Sequence, residues 1–175
     1  PFRGLKRDIY EGGHHVPFIV KWPGLIKPDS VCDKLVSQID IMATLASALD
    51  FSLPKQAAED SHDLMPLLKG KKVSPRNSHV HNTRHEAWAI RVGAWNLIWG
   101  KSGYHSGRNN EWERKRKYSV DDQDSVELYH YAKDSQQRNN LAGQYPNKVM
   151  ELKKELADSR DRGYTAPRLS GSRIP

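Results

Sequence analysis

The stretch from Arg3 to Gly24 reads RGLKRDIYEGGHHVPFIVKWPG. Its glycines allow backbone conformations and close approaches that other residues disfavour, so we predict a loop over residues 4–13 that carries Lys6. The continuous apolar run that follows predicts a strand over Val16–Trp22, buried on both faces. A Pro-Gly pair then ends this strand in a turn.

The composition is that of a polar globular chain, with 175 residues, 37% hydrophobic residues and a net charge of +7. No apolar run approaches the roughly 20 residues that a membrane-spanning helix needs. A single cysteine, Cys32, excludes an intrachain disulfide. The positive charge suits anionic partners such as sulfated compounds, nucleic acid or an acidic membrane surface, and it does not choose among them.

Hydrophobic periodicity predicts the remaining elements. Apolar residues at helical spacing predict helices over Asp40–Leu49, from Leu64 to Leu68, and from Pro146 onward. Short alternating segments predict four strands of an antiparallel sheet. The predicted strands cover Ser78–Thr83, Trp88–Val92, Trp95–Trp99 and Val126–Tyr131. The polar segment 101–124 is predicted to be a long exposed loop.

These elements predict two domains and a tail. Residues 1–71 are interpreted as the end of an α/β domain. Residues 72–160 are predicted to form a small antiparallel subdomain with a packed helix, because strands come first and one amphipathic helix follows them. Residues 161–175 have few features that would order them and are predicted to be a flexible tail.

The segment around Lys6 resembles the active-site lysine motif of type I sulfatases, G-x-K-x4-E-G-G-x2-V-P. Other blocks are similar to that family in the same order along the chain. They are VSQIDIMATL at 36–45, DSHDLMPLLKG at 60–70, AIRVGAWNLI at 89–98 and ELYH at 127–130. In the third block Asn96 stands where the family usually has lysine.

The resemblance implies an alkaline-phosphatase-like sulfatase fold, with the end of the large α/β domain and a C-terminal four-stranded antiparallel sheet. It implies a parent enzyme that hydrolyses sulfate esters, either aryl or carbohydrate sulfates. In the family, a formylglycine nucleophile from a C/S-x-P-x-R motif and the metal-binding carboxylates precede the lysine. We therefore expect this chain alone to be inactive.

The same resemblance implies a calcium ion in the full-length family, because its ligands are hard oxygen atoms. We expect no metal ligands in this chain and no calcium bound to it alone. Members of the family are usually exported, so a periplasmic or secreted location is the expectation. We expect neither nucleic-acid binding nor a membrane span.

Three residues are the candidate site residues. Lys6 matches the family's catalytic lysine, and a compact ammonium group can bind a sulfate oxygen or, if desolvated, supply a proton. His81 lies in a segment that faces the substrate pocket in related sulfatases, and His15 stands where the family often has arginine. Both are predicted to bind substrate. Glu11 is predicted to order the glycine turn through backbone N–H groups.

Alternative interpretations stay open at this point. His79, His81 and His85 would be a zinc site only if they converge, and their spacing is irregular. The basic run Arg114–Lys117 is a solvated loop or the binding surface of a non-catalytic module for sulfated or other anionic polymers. A phosphoryl-transfer relative of the same superfamily is a third possibility, which the identity of the nucleophile would decide.

Overall fold

The computed structural model describes residues 2–54, 56–83, 87–100, 110–118 and 126–166. The chain divides into two compact units. The sheet unit consists of residues 1–17 and 80–158, and the helical unit consists of residues 18–79 and 159–175. Residues 1–17 thus group with the sheet, which the sequence did not indicate. The predicted division at residues 71 and 160 stays a prediction.

Within the described residues the chain has five α-helices, one 3₁₀ turn and four strands. The helices are α1 (Glu11–His14), α2 (Ile41–Ala48), α3 (Met65–Leu68), α4 (Asn110–Lys115) and α5 (Pro146–Arg162). The strands are β1 (Ser78–Thr83), β2 (Ala87–Val92), β3 (Trp95–Trp99) and β4 (Val126–His130). The four predicted strands are confirmed to within one residue at each end. In the parts of the chain described here, no helix is both long and apolar enough to cross a membrane.

The four strands form one sheet in chain order, β1-β2-β3-β4. The β2–β3 and β3–β4 pairs are antiparallel. Gly93, with φ of +57°, lies in the two-residue turn between β2 and β3. A turn of this length favours positive φ because its twist then matches that of the strands.

The helix α5 covers one face of the sheet. Its Leu152 and Leu156 are 1% and 0% exposed and belong to one apolar cluster with residues from three strands. Those strand residues are Ile90, Leu97 and Leu128, with Trp95 and Trp99 packed at the margin. The apolar stripe predicted for this helix therefore packs on the sheet as an amphipathic helix should.

The opposite face of the sheet is covered by the N-terminal segment. Ile9 and Tyr10 form a second cluster with Ala89, Ile98 and Tyr129. Odd and even positions of β3 thus contact different layers, as the alternation in the sequence predicts. This packing places the segment that carries Lys6 on the sheet.

The helical unit contains a buried ion pair. Asp40 and Arg76 have side chains that are 0% and 1% exposed, with Arg76 Nη2 2.5 Å from Asp40 Oδ1. The Asp40 carboxylate also accepts from the backbone N–H groups of Ser37 and His62, at 2.8 and 2.9 Å. Asp40 therefore closes the 3₁₀ turn before α2 and ties this turn to the segment at residue 62.

The predicted strand over Val16–Trp22 is wrong. These residues form no regular element, and Ile19 is 91% exposed. A strand is stable only when a neighbouring strand satisfies its N–H and C=O groups. Within the described part of the helical unit no strand runs beside this segment.

The predicted loop at 101–124 is partly wrong. Residues 110–115 form α4, which an ion pair between Lys115 and Glu111 supports at 2.8 Å. Glu113 and Tyr118 are buried, at 1% and 4% exposure. The rest of the predicted loop lies outside the described residues.

Candidate functional site

Lys6 is exposed at the tip of a closed turn in the sheet unit. The Asp8 N–H donates to the Leu5 carbonyl at 2.9 Å, and the Leu5 N–H donates to Asp8 Oδ2 at 2.8 Å. Arg7 has φ of +77°, a conformation that costs energy for a residue other than glycine. The two reciprocal hydrogen bonds hold this conformation and present Lys6 to solvent.

The paired glycines of α1 allow the backbone of this turn to lie directly against the helix. The Gly12 N–H donates to the Arg3 carbonyl at 2.6 Å. A Cβ atom at Gly12 would lie 2.3 Å from the Gly4 carbonyl oxygen, and one at Gly13 would lie 2.0 Å from that of Asp8. The predicted close approach at these glycines is therefore confirmed, and no side chain fits there.

Arg3 anchors the start of the segment to β4. Its Nη1 donates to the Tyr129 hydroxyl at 2.8 Å and to the Gln137 carbonyl at 3.2 Å, and it lies 3.4 Å from Glu127 Oε2. The Tyr10 hydroxyl donates to the other Glu127 oxygen at 2.8 Å. The guanidinium also lies 4.0 Å from the centre of the Tyr10 ring, within cation–π range. The sequence showed no signal for this buried network.

Glu11 is a buried carboxylate that faces cationic side chains. Its Oε2 lies 3.2 Å from His15 Nδ1, its Oε1 lies 3.8 Å from Arg91 Nη1, and its backbone N–H donates to Gln137 Oε1 at 2.9 Å. Burial raises the pKa of Glu11, and the charges of Arg91 and His15 oppose that rise. The carboxylate partners found here are side chains, so the predicted role on backbone N–H groups is wrong.

His81, on β1, makes a hydrogen bond to the segment that carries Lys6. Its Nε2 lies 3.1 Å from the Ile9 carbonyl oxygen, which can only accept, so this nitrogen carries the hydrogen. Burial lowers the pKa of His81 below 6.5, which favours the neutral imidazole. The His14 ring lies beside it with the centroids 4.0 Å apart. Contact of His81 with substrate stays a prediction.

His15 lies in a group of aromatic and cationic side chains. Its ring stacks on that of Phe2 with centroids 4.5 Å apart, and the Tyr131 ring lies 6.4 Å away. The Arg91 guanidinium lies 4.0 Å from the centre of the Tyr131 ring. Burial, followed by the nearby Glu11 charge, raises the pKa of Tyr131 above 10. Binding of substrate by His15 stays a prediction.

The described residues contain no set of side chains that could bind a metal ion. Among them no three His, Cys, Asp or Glu side chains are arranged to hold a metal ion. His85, the third member of the hypothetical zinc site, lies outside the described residues. Cys32 is exposed. The described residues offer no ligand set for the calcium ion that the resemblance implies, so we derive no chemical step through a metal, and calcium in the full-length family stays a prediction.

A family model described as N-sulphoglucosamine sulphohydrolase, C-terminal, matches residues 5–99, which include the lysine turn, α1 and three strands of the sheet. The chain belongs to the sulfatase family. This sulfatase chain is 35% identical over 158 residues to an N-acetylgalactosamine-6-O-sulfatase of Bacteroides thetaiotaomicron. That match covers 90% of this chain and 29% of the relative. It is 30% identical over 162 residues to arylsulfatase K of Xenopus laevis, covering 86% and 27% of the two chains.

A solved structure agrees with these matches. It is a Bacteroides thetaiotaomicron protein from work on the metabolism of multiple glycosaminoglycans. It superposes with a TM-score of 0.72 and 32% identity over 92% of this chain and 32% of that one. The alkaline-phosphatase-like sulfatase fold, with its four-stranded antiparallel sheet and packed helix, is confirmed. The sulfatase chain spans under a third of the length of the relatives described here.

Proposed function

We propose that the protein containing this chain hydrolyses sulfate esters of carbohydrates, and that Lys6 binds a sulfate oxygen of the substrate. The observation that carries the proposal is the exposure of this lysine at the tip of a turn whose two ends are fixed. A turn that is fixed before the substrate arrives brings its cation to the developing negative charge with little backbone rearrangement.

Both ends of the turn are held by separate contacts. Arg3 fixes the start through its buried bonds to Tyr129 and Gln137. Gly12 and Gly13 fix the end, because their backbone lies against the carbonyl groups of the turn. Since the tip between these contacts is short, the position of the Lys6 backbone is well defined relative to the sheet.

The two histidines have different proposed parts. His15 is half-exposed, with 42% of its side chain accessible, and we assign it to the rim of the substrate pocket. His81 is predicted to contact substrate, and its bond to the Ile9 carbonyl also positions the turn from within. A sulfate ester of a sugar is the proposed substrate, since one relative is described as an N-acetylgalactosamine-6-O-sulfatase.

The test uses the complete polypeptide encoded by the reading frame in which this chain lies. That frame is first searched for the C/S-x-P-x-R motif. Sulfate release is then measured from an aryl sulfate and from a 6-O-sulfated N-acetylhexosamine. Lys6→Ala is expected to lower kcat/KM about 100-fold or more, as loss of a transition-state charge contact does. Lys154→Ala is the matched control, because this exposed lysine lies on α5, on the other face of the sheet.

Wild-type activity in Lys6→Ala would contradict the proposal. An inactive wild-type protein that binds heparin would favour the binding-module alternative instead. In that case, binding should weaken with salt and be lost when all four residues of the basic run Arg114–Lys117 are changed to glutamine.

A further inference from the structure

Phe2, His15, Tyr131 and Arg91 form one group of neighbouring side chains, which we call the aromatic shelf. Phe2 stacks on His15 at 4.5 Å with an interplanar angle of 22°. The Tyr131 hydroxyl lies 3.4 Å from His15 Nδ1, and Arg91 lies 4.0 Å over the Tyr131 ring. Three planar groups and one guanidinium thus lie side by side on the sheet unit.

The shelf is partly accessible and contains one permanent cation, Arg91, which lies near the Glu11 carboxylate. The His15 side chain is 42% exposed and that of Arg91 is 20% exposed, whereas Glu11 between them is only 3% exposed. Arg91 Nη1 lies 3.8 Å from Glu11 Oε1, beyond hydrogen-bond distance, while its Nε donates to the Gly93 carbonyl at 3.2 Å. Arg91 also hydrogen-bonds the Tyr131 side chain. Because a guanidinium has five N–H donors, its Nη groups keep donor capacity for an external oxyanion.

The shelf adjoins the turn that presents Lys6. A Cβ atom at Gly13 would lie 2.8 Å from the Leu5 carbonyl oxygen, so α1 lies directly against the residue before Lys6. His15 follows the last residue of this four-residue helix. The turn that carries Lys6 and the shelf are thus connected through α1.

This combination of groups fits an acidic sugar. The C–H face of a pyranose ring packs on aromatic rings, which bury apolar area at low entropic cost. A planar guanidinium binds a carboxylate or sulfate through two parallel hydrogen bonds. The Glu11 carboxylate lies between Arg91 and His15.

We propose that the aromatic shelf binds an anionic sugar unit next to the sulfate ester held at Lys6. This inference rests on the proposed function, since it extends the site from one sulfated residue to two linked sugars. The ring of the second sugar packs on Tyr131 and His15, and its carboxylate or sulfate binds Arg91. The substrate class is then an acidic oligosaccharide rather than an isolated sulfated monosaccharide or a phenol sulfate.

Direct binding tests the shelf separately from sulfate release. The complete polypeptide is titrated by calorimetry with a sulfate-free disaccharide that contains one uronic acid, and with a disaccharide of uncharged sugars that carries one non-hydrolysable sulfonate in place of a sulfate ester. Arg91→Gln is expected to raise the Kd for each of the two disaccharides about 10- to 100-fold, which is the range for loss of charge-assisted hydrogen bonds. The uronate and sulfonate arms show which oxyanion the shelf prefers. Tyr131→Leu should weaken both ligands, and Tyr131→Phe should preserve binding.

Two matched controls lie on the other side of the sheet. Tyr145→Leu removes an aromatic ring that packs on Trp95, 5.2 Å away, and Lys154→Gln removes one exposed positive charge. Both should bind the disaccharides as the wild type does. Wild-type affinity in Arg91→Gln and Tyr131→Leu would overturn the proposal. So would lowered thermal stability of these variants with an unchanged Kd, because the stack would then be only structural.

The outcomes separate this inference from the proposed function. Lys6→Ala should leave binding of the sulfate-free disaccharide within about twofold of wild type, because this ligand has no sulfate for Lys6 to bind. One outcome is that Lys6→Ala loses sulfate release while the wild type does not bind the sulfate-free disaccharide. This outcome would support the proposed function and contradict the proposed role of the shelf. If the wild type binds the sulfate-free disaccharide and Lys6→Ala keeps full activity, the shelf is supported and the proposed role of Lys6 is contradicted.

Discussion

Arg3 donates a hydrogen bond from Nη1 to the hydroxyl of Tyr129, 2.8 Å away, although 126 positions separate them in the chain. The tyrosine hydroxyl in turn donates to Glu127. A cation, a phenol and a carboxylate are thus joined in one buried chain of hydrogen bonds. This chain links the start of the lysine segment to the last strand of the sheet, and hence sets where Lys6 lies.

Loss of the arginine should destabilise the sheet unit. Arg3→Gln leaves the Glu127 carboxylate without its buried cation, and we expect the free energy of unfolding to fall by about 3–5 kcal/mol. Tyr129→Phe removes only the hydroxyl and should cost about 1–3 kcal/mol. Urea denaturation followed by tryptophan fluorescence measures both. Arg114→Gln, at an exposed position of α4, is the control, and an equal loss in this variant would contradict the prediction.

The second prediction concerns the glycines of α1. A Cβ atom at Gly13 would lie 2.0 Å from the Asp8 carbonyl oxygen, so Gly13→Ala must push the lysine turn away from the helix. We expect a loss of at least about 1–3 kcal/mol, as for other overpacked sites, together with a lower kcat/KM for sulfate release.

Gly143→Ala is the matched control for this prediction. No heavy atom lies within 4 Å of a Cβ at Gly143, and its φ is not in the positive range. The stability of this variant should stay at or slightly above that of the wild type, because alanine restricts the unfolded chain. If both substitutions have the same effect, the close contact at Gly13 does not constrain the turn.

His81 should make the stability of the sheet unit depend on pH. Burial lowers the pKa of His81 below its ordinary value of 6.5, so the unfolded chain binds this proton more tightly than the folded one. The contribution of His81 is therefore fully present above pH 6.5 and is lost as the pH falls through the folded-state pKa. A histidine NMR titration of the folded protein measures this directly. A midpoint at or above pH 6.5 for His81 would refute the burial argument.

The helical unit should respond to acid through a different group. Burial alone would raise the pKa of Asp40, but the hydrogen bonds from Arg76, His62 and Ser37 hold that pKa below its ordinary value of 3.8. The stabilisation is therefore present above pH 3.8 and is lost as the pH falls through the lower, folded-state value. Removing one partner of such a buried pair typically costs about 3–5 kcal/mol, so Asp40→Asn should cost this much at pH 7.

The pH dependence provides the check on the Asp40 prediction. Urea denaturation of wild type and Asp40→Asn is compared between pH 7 and pH 3, where the difference between them should narrow. Asp29→Asn serves as the control, since this exposed residue has a positive φ that asparagine also tolerates. A constant difference for Asp40→Asn at all pH values would show that ionisation of Asp40 contributes nothing.

Local sequence patterns predicted the four strands of the sheet correctly, but the strand predicted over Val16–Trp22 does not form. The strand β3 matches its prediction because alternation of Trp95, Asn96 and Leu97 reflects two different layers above and below the sheet. The continuous apolar run at Val16–Trp22 is also a strand signal, but a strand requires a neighbour for its hydrogen bonds as well. Periodicity carries no information about that neighbour.

The candidate site, like the fold, was predicted only in part from the sequence. The sequence indicated Lys6 and His15 from the motif around them, and it indicated the close approach at Gly12 and Gly13. It did not indicate α4, whose signal is one Glu-Lys pair four residues apart. Arg91 was noted only as part of a similar block, because nothing local showed that its guanidinium would lie over a ring near residue 131.

The sequence alone determined the family, the four strands, the helix α5 and the turn with its lysine, although residues 11–13 of the predicted loop belong to α1. These follow from motifs and periodicities within about ten to twenty residues of chain. Only the tertiary structure decided that Arg3 pairs with Glu127, that Glu11 lies between His15 and Arg91, and that an aromatic shelf adjoins the turn. Such contacts join residues far apart in sequence, and their geometry depends on which faces of the sheet are covered.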